Sequence, residues 1–364
     1  MSAWRDFFAS RLGIISVGAF IGVFASLLQK WGNPGNMGIC VACMERDVAG
    51  AIGFHRAAMV QYLRPEIIGF VLGAMAAAFI FREFRPRAGS APIVRFVLGM
   101  LAMIGALVFL GCPWRALLRL AGGDGNAILG LLGLVGGVWI GTLFLKGSYN
   151  LGRNQSTFAS GGWLLPIIML GLLALRLVFP QIPDKDLSGI IFYSVKGPGA
   201  QFAPLPVSLA VGLAVGFLAQ RSRFCTMGAI RDLVLFRQMH LLSGMLALLV
   251  AAFLVNLILG QFKPGFAGQP VAHTMGLWNF AGMVVAGLAF TLAGGCPGRQ
   301  LFLAGEGDGD AAVFVLGMLV GAAVSHNFGL ASSPAGVGPY GIHAVLLSLA
   351  ALLFIGFTMR QKTS

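Results

Sequence analysis

Two Cys-Pro pairs are the residues of this chain best suited to bind a small substrate. Cys112 is followed by Pro113, and Cys296 is followed by Pro297. Because proline favours the first turn of a helix, each thiol should lie at a helix N-terminus, beside free backbone N–H groups and the positive end of the helix dipole. Such a point holds an anion, and a thiol is a soft group with a weak S–H donor. The pairs therefore predict a site for a soft anion that carries sulfur or selenium, whereas phosphate would call for more arginine and lysine.

Charged residues accompany all four of the cysteines that recur along the chain. Arg115 and Arg299 follow the Cys-Pro cysteines by three positions. We expect them to face the same cavity, with extension to an interface as the alternative for such long side chains. Two further cysteines are followed six and seven positions later by an Arg-Asp pair: Cys40 by Arg46 and Asp47, and Cys225 by Arg231 and Asp232. Because a lone buried charge is costly, we interpret these pairs as structural locks in preference to direct substrate contacts.

These motifs are two copies of one pattern, separated by about half of the chain. Four of the five cysteines fall at equivalent points of the two copies. In an apolar protein, such a duplication indicates a two-fold transport unit with thiols at its centre. Cys43 has no counterpart, because Gly228 occupies the matching position. Cys40 and Cys43 form a nominal C-x-x-C motif, but the missing partner in the second copy indicates that Cys43 lies outside the shared machinery.

The composition indicates that these motifs lie in a membrane. Hydrophobic residues make up 57% of the chain, charged residues 10%, and the mean hydropathy is +0.86. The apolar runs are long enough to cross a bilayer as helices, and the abundant glycine permits close helix packing. We predict an all-α integral membrane protein with about ten spans, the first of which is retained and not cleaved as a signal. The predicted spans are 12–28, 65–81, 95–111, 127–145, 162–180, 205–219, 241–260, 275–294, 311–327 and 341–358.

Four segments between the spans predict re-entrant or broken helices. The stretches 35–54 and 221–239 are too polar to cross the membrane and too apolar for ordinary loops. The two segments that begin at the Cys-Pro pairs end at Gly-Asp-Gly sequences, 123–125 and 307–309. Because non-helical backbone at membrane depth is tolerated only where protein encloses it, these segments should line a central pathway.

The positions of the positive residues and the number of spans predict the topology. Segment 82–95 carries four arginines, and we place it in the cytoplasm together with both tails, which carry Arg5, Arg11, Arg360 and Lys362. The loop 181–204 balances Asp184 and Asp186 against Lys185 and Lys196, so nothing holds it inside. One finding disagrees with this orientation: Lys30, Arg46, Arg56 and Arg64 fall on the predicted outer side.

Each repeat has four spans, and one linking span lies between the repeats. Because an odd number of spans precedes the second repeat, it enters the membrane inverted relative to the first. We predict a first repeat over 1–160, a linking span and loop over 161–204, and an inverted second repeat over 205–364. Cys40 and Cys112 should then approach the midplane from the outer side, and Cys225 and Cys296 from the inner side.

The net charge of +13 is mostly explained by positive residues in loops, so it does not indicate nucleic-acid binding. The net positive charge would nevertheless produce a positive field around a central pathway, which attracts anions. The cysteines lie in apolar sequence and do not form a disulfide framework, and the histidines lack metal-ligand spacing. No phosphate-binding G-x-x-x-x-G-K-[ST] motif is present in the sequence, which excludes ATP-driven transport by this chain alone. We therefore expect neither a metal nor a cofactor.

Taken together, the doubled motifs resemble those of the YeeE/YedE family of sulfur-compound transporters. The matching stretches are Gly38-Ile39-Cys40, Arg46-Asp47, Gly111-Cys112-Pro113, Arg223 to Ala229 with Arg231-Asp232, and Gly294 to Arg299. Two others, Gly32 to Cys40 and Arg64 to Gly69, are similar to the YedE branch, which is assigned to selenium transport by association.

The resemblance implies an hourglass-shaped bundle in the inner membrane, with thiosulfate-like ions passed between cysteines at the waist. It implies that Cys112 and Cys296 are the central cysteines, and that Cys40 or Cys225 is an accessory one. It also implies a small cytoplasmic sulfurtransferase partner of the TusA-like type.

Two other classes of function stay open at this point. One is a membrane enzyme in which a cysteine forms a persulfide and hands the sulfur or selenium to a cytoplasmic acceptor. The other is an anion channel without thiol chemistry. We favour a transporter that is not an enzyme, because a doubled, inverted arrangement around a midplane site is typical of transporters.

Overall fold

The computed structural model describes residues 2–181 and 190–360, with the backbone alone for residues 2–5. Asp184, Lys185, Asp186 and Lys362, which entered the topology argument, lie outside the described residues, as does the side chain of Arg5.

The described chain is mostly helical, with almost no β-structure. Its helices are α1 (Ser2–Ala9), α2 (Arg11–Lys30), α3 (Val41–Ala51), α4 (Pro65–Ile80), α5 (Pro92–Phe109), α6 (Pro113–Ala121), α7 (Asn126–Lys146), α8 (Ala159–Val178), α9 (Leu205–Ser222), α10 (Thr226–Phe236), α11 (His240–Ile258), α12 (Gly276–Ala293), α13 (Pro297–Gly305), α14 (Gly309–Asn327) and α15 (Gly341–Thr358). Two two-residue strands, β1 (Arg87–Ala88) and β2 (Gln155–Ser156), pair antiparallel.

The predicted membrane architecture is confirmed. Within the described residues, nine helical segments are long and apolar enough to cross a membrane, and three of these combine two helices that meet at a cysteine. Helix α4 is apolar but shorter. With α4, these segments coincide with the ten predicted spans. The chain is an all-α, multi-pass membrane protein.

The helices of the two halves pack in a two-fold pattern. Helix α2 packs along α11, and its counterpart α9 packs along α4; likewise α5 packs along α14, and α12 along α7. Helices α5 and α12 also pack on each other. Glycine permits the closest crossings, since a side chain at Gly18 would overlap the backbone of Gly244, and one at Gly69 would overlap that of Gly212. The two halves are therefore interlocked.

Contacts between loops define two opposite faces. On one face, Glu83 binds Arg221, Arg87 binds Asp308, and the backbone of Asn150 bonds to that of Met359. On the other, Arg64 bonds to the carbonyl of Gln201, and the Asn33 side chain accepts from the backbone N–H of Ala203. Helices α4 and α9 both run from the second face to the first. We call the first the inner face and the second the outer face, following the predicted orientation.

Candidate functional site

Four short helices begin at the four duplicated cysteines. Helices α3, α6, α10 and α13 have Cys40, Cys112, Cys225 and Cys296 at their N-cap positions, each in an extended backbone conformation. Proline occupies the first turn of α6 and α13, as the Cys-Pro pairs predicted. The Cys40 sulfur accepts the N–H of Cys43 at 3.3 Å, and the Cys225 sulfur accepts the N–H of Gly228 at 3.2 Å. The two halves thus hold their thiols in the same way.

The four helices point their N-termini inward from both faces. Helix α6 ends at the turn whose Gly123 accepts from the N–H of Gly265 at the outer face. Helix α13 ends at the equivalent turn, whose Gly307 accepts from the N–H of Arg87 at the inner face. Four helix N-termini therefore converge in the interior, and their dipoles add a positive potential there.

The thiols form two pairs. Cys40 and Cys112 lie within hydrogen-bonding reach of each other, and so do Cys225 and Cys296. We call them the outer and inner thiol pairs. All five cysteines are free and buried; Cys225, at 7% exposure, is the most accessible of them. Each pair places two soft sulfur atoms next to each other in the interior of the protein.

A cavity of about 440 Å³ extends from the inner face to Cys225 of the inner thiol pair. It is lined by Cys225 and by Arg221, Arg223, Arg231 and Arg299, with Asp232 as the acidic residue among them. Glu83, Asp232 and Glu306 bind Arg221, Arg231 and Arg299, so these four arginines exceed the carboxylates by one, and the small excess of positive charge favours anions over cations.

The outer side has a smaller, polar cavity of about 230 Å³, lined in part by Asn36, Gln261, Lys263 and Gln269. Buried Arg115 lies behind it. The guanidinium group donates to the carbonyl oxygens of Asn36, Leu110, Pro270 and Val271 and contacts the Cys43 sulfur at 3.5 Å. Arg115 thereby ties the loop before α3 and the loop before α12 together over the outer thiol pair.

The two duplicated arginines differ from the expectation that they face one cavity. Arg299 lines the inner cavity and approaches Glu306 at 3.4 Å, whereas Arg115 is fully buried on the outer side. The physical reason is the longer chain before α3 and before α12, which covers Arg115 with backbone carbonyl groups. In this conformation, the inner cavity reaches Cys225, whereas the residues that line the outer cavity include no cysteine.

The two Arg-Asp pairs also differ. Arg46 binds Asp47 at 2.6 Å in a buried setting, and Arg64 binds the other oxygen of Asp47 at 2.7 Å. Arg64 continues to the carbonyl oxygens of Pro198 and Gln201, which joins α3 to the linking loop. In the second half, Arg231 binds Asp232 at 2.8 Å, but both side chains are partly exposed and line the inner cavity.

The sequence did not reveal three arginine partners of this framework. It placed Arg64 only as a charge on the wrong side of the membrane. It identified both Gly-Asp-Gly turns but not the arginines that bind them: Arg119 binds Asp124 at 2.6 Å, and Arg87 binds Asp308 at 2.7 Å. Asp308 also accepts the N–H of Ala311 and caps α14. The signal was available in the apolar setting of these aspartates, which requires a partner for each.

Comparison with known proteins connects this site to sulfur. Residues 221–358 match the model of a protein family described as sulphur transport. A stretch of 99 residues is 31% identical to the thiosulfate transporter TsuA of Spirochaeta thermophila and covers 27% of this chain. The match spans 29% of that relative's length. The second half of the chain is therefore similar to the sulphur transport family, and the resemblance to the YeeE/YedE proteins that the motifs predicted is confirmed.

Proposed function

We propose that this protein carries a small sulfur-containing anion across the membrane and passes it between the outer and inner thiol pairs. The observation that carries the proposal is the convergence of four helix N-termini, each with a cysteine at its cap, behind an arginine-lined cavity. The sulfur-transport match over 221–358 and the partial similarity to a thiosulfate transporter support the same class of substrate.

The arrangement favours weak and repeated binding. A transported ion must leave each stop, so a series of moderate sites serves better than one strong site. Neutral thiols can donate S–H hydrogen bonds to the terminal sulfur of a thiosulfate-like ion, and free N–H groups of the helix ends can bind its oxygens. A permanent thiolate would repel the same anion, so the neutral thiol is the working form in this mechanism.

Charge sorts the ions before they reach the thiols. Arg221, Arg223 and Arg231 line the inner cavity together with Arg299, which follows Cys296 by three residues in the sequence. A selenium analogue of thiosulfate has the same charge and a comparably soft terminal atom, so this site would accept both elements. The substrate class is therefore a soft oxyanion of sulfur or selenium.

A sulfurtransferase of the TusA-like type is the partner that we propose at the inner face. The inner cavity opens there, and its exposed Arg223 provides a positive rim that would hold an acidic surface. Such a partner would consume the sulfur species as it leaves the inner thiol pair.

The membrane-enzyme alternative predicts a covalent product. In that case a buried cysteine would keep the sulfur atom as a persulfide and release the rest of the ion. The carboxylate that lines the cavity with Cys225 is that of Asp232, and its ion pair with Arg231 makes it a poor general base. We therefore favour passage of the intact ion.

Uptake by a sulfur-starved host tests the function. Cells that depend on this protein should take up thiosulfate, and uptake should saturate and fall on replacement of Cys112 or Cys296 by alanine. Sulfate, which lacks the soft terminal atom, should be a poor substrate. Uptake of sulfate and thiosulfate at equal rates, unchanged by both replacements, would establish the thiol-independent channel instead.

A further inference from the structure

The two-fold pattern is broken at one position of the central motifs. Residue 114 is tryptophan, and the equivalent residue 298 is glycine. The indole ring of Trp114 packs directly on Gly298: an added Cβ there would lie 3.1 Å from Cζ2 of the indole and 3.4 Å from Cε2. Trp114 follows Cys112 by two residues, and Gly298 follows Cys296 by two residues. The ring therefore lies where the outer and inner motifs meet.

Three phenylalanine rings enclose the indole. Their centroids lie 6.0 Å (Phe70), 5.6 Å (Phe224) and 6.1 Å (Phe302) from that of Trp114. Phe224 immediately precedes Cys225 of the inner pair. With Trp114 only 1% exposed, this aromatic cluster fills the space beside both motifs with apolar surface that an anion cannot cross unaided.

Symmetry explains why only one of the two positions is large. Residues 114 and 298 face each other across the pseudo-two-fold axis, so two indole rings would compete for the same volume. One tryptophan opposite one glycine fills that volume once, at the packing density of a protein interior. The difference between the halves is therefore required by the packing.

The indole N–H is the unusual feature of this cluster. Nε1 of Trp114 is buried and has no hydrogen-bond partner in the structure. A buried indole N–H normally finds a partner, and leaving it without one destabilises the protein. Nε1 is bonded to Cε2, one of the ring atoms that face Gly298. The unpartnered donor therefore lies at the edge of the ring nearest to the Cys296 motif.

We propose that Trp114 is the partition between the outer and inner thiol pairs, and that its indole N–H donates a hydrogen bond to the anion as it crosses. The partition follows from the aromatic packing alone. The role of the N–H rests on the proposed transport function. The residue is specific to this point of the pathway, because the second half supplies glycine in its place.

Thiol labelling tests the partition without any substrate. In a protein whose only cysteine is Cys112, an anionic, membrane-impermeant methanethiosulfonate is applied from the inner face. We expect slow labelling with Trp114 or with Trp114→Phe, and labelling at least about tenfold faster with Trp114→Leu, which removes a ring that blocks the path. Trp139→Leu is the matched control, because Trp139 is 52% exposed at the periphery. Equal labelling rates in the Trp114 and Trp114→Leu proteins would overturn the partition.

Measurements of thiosulfate uptake separate the role of the Trp114 indole N–H from the role of its ring. Trp114→Phe keeps an aromatic ring and removes the donor, and we expect about a tenfold lower rate of thiosulfate uptake, as for the loss of one hydrogen bond to a charged group. Trp139→Phe should leave uptake unchanged. Full uptake by Trp114→Phe would overturn the donor role. If the unaltered protein moves no thiosulfate, the proposed function fails, while the labelling result still decides the partition.

Discussion

Asp47 and Asp232 occupy equivalent positions of the two halves, and replacing each with asparagine should have very different consequences for stability. Asp47 binds Arg46 at 2.6 Å and Arg64 at 2.7 Å, and all three side chains are at most 2% exposed. Removing its charge leaves two buried guanidinium groups without a carboxylate, which costs about 3–5 kcal/mol for one broken buried pair alone. Asp232 binds Arg231 with exposures of 17% and 32%, and its loss should cost about 0–1 kcal/mol.

The difference between the two variants is therefore about 3 kcal/mol, roughly a hundredfold in the unfolding equilibrium. It is measured by unfolding in mixed micelles with an increasing fraction of a denaturing detergent. A double variant, Asp47→Asn with Arg64→Met, provides the control, because it removes one of the orphaned cations and should lose less than the sum of the single changes. Equal losses in Asp47→Asn and Asp232→Asn would refute the reasoning that burial makes the first pair a lock.

Three further predictions follow from the site and the fold. Cys112→Ala or Cys296→Ala should abolish uptake while normal amounts of folded protein remain in the membrane, since each change costs no more than about 1–2 kcal/mol of stability. Cys43→Ala should be tolerated. Loss of uptake in Cys43→Ala together with normal uptake in Cys296→Ala would contradict the inference that the duplicated cysteines are the functional ones. Cys296→Ser should retain partial uptake because serine keeps a donor, whereas a stable extra sulfur on Cys112 or Cys296 in the mass spectrum of substrate-treated protein would favour persulfide chemistry. Single cysteines introduced at Arg87 and Lys263 should be labelled from opposite faces, and labelling of both from one side would contradict the topology.

The spans and the helix starts were predictable because their causes are local. A long apolar run has few alternatives to a membrane helix, and Cys112-Pro113 and Cys296-Pro297 begin helices because proline fits the first turn. Because the motifs occur in both halves of the chain, the assignment of a motif in one half supported its assignment in the other. The inverted arrangement, which was predicted from the odd number of spans before the second repeat, implied that the four cysteines would converge.

The partners of the buried charges were not predictable from spacing. Arg64 reaches Asp47 across a turn of irregular chain, and Arg87 reaches Asp308 from the other half of the molecule. This also accounts for two of the four positive residues that disagreed with the predicted orientation. Arg46 and Arg64 are bound to Asp47 in the interior, and Arg56 lies over the ring of Phe192 at 4.0 Å. The rule that positive residues stay inside concerns free charges near the membrane surface, so the two residues bound to Asp47 do not bear on the orientation.

The unequal roles of Arg115 and Arg299 bear on how such a protein would move an ion. Repeats of one fold can adopt each other's conformation, and in inverted repeats this exchange opens one face as it closes the other. Here Arg115 binds the carbonyl groups of Asn36, Pro270 and Val271 on the outer side, while Arg299 has one long contact with Glu306. The loops that supply the carbonyl groups to Arg115 are longer than their counterparts, so the inner face has no equivalent set of acceptors to bind Arg299. If the two halves exchange conformations during transport, the inner cavity would therefore close through a contact different from the one that Arg115 makes. Arg299 lines the inner cavity and would contact the anion that we propose enters it, whereas Arg115 is bound to backbone carbonyl groups.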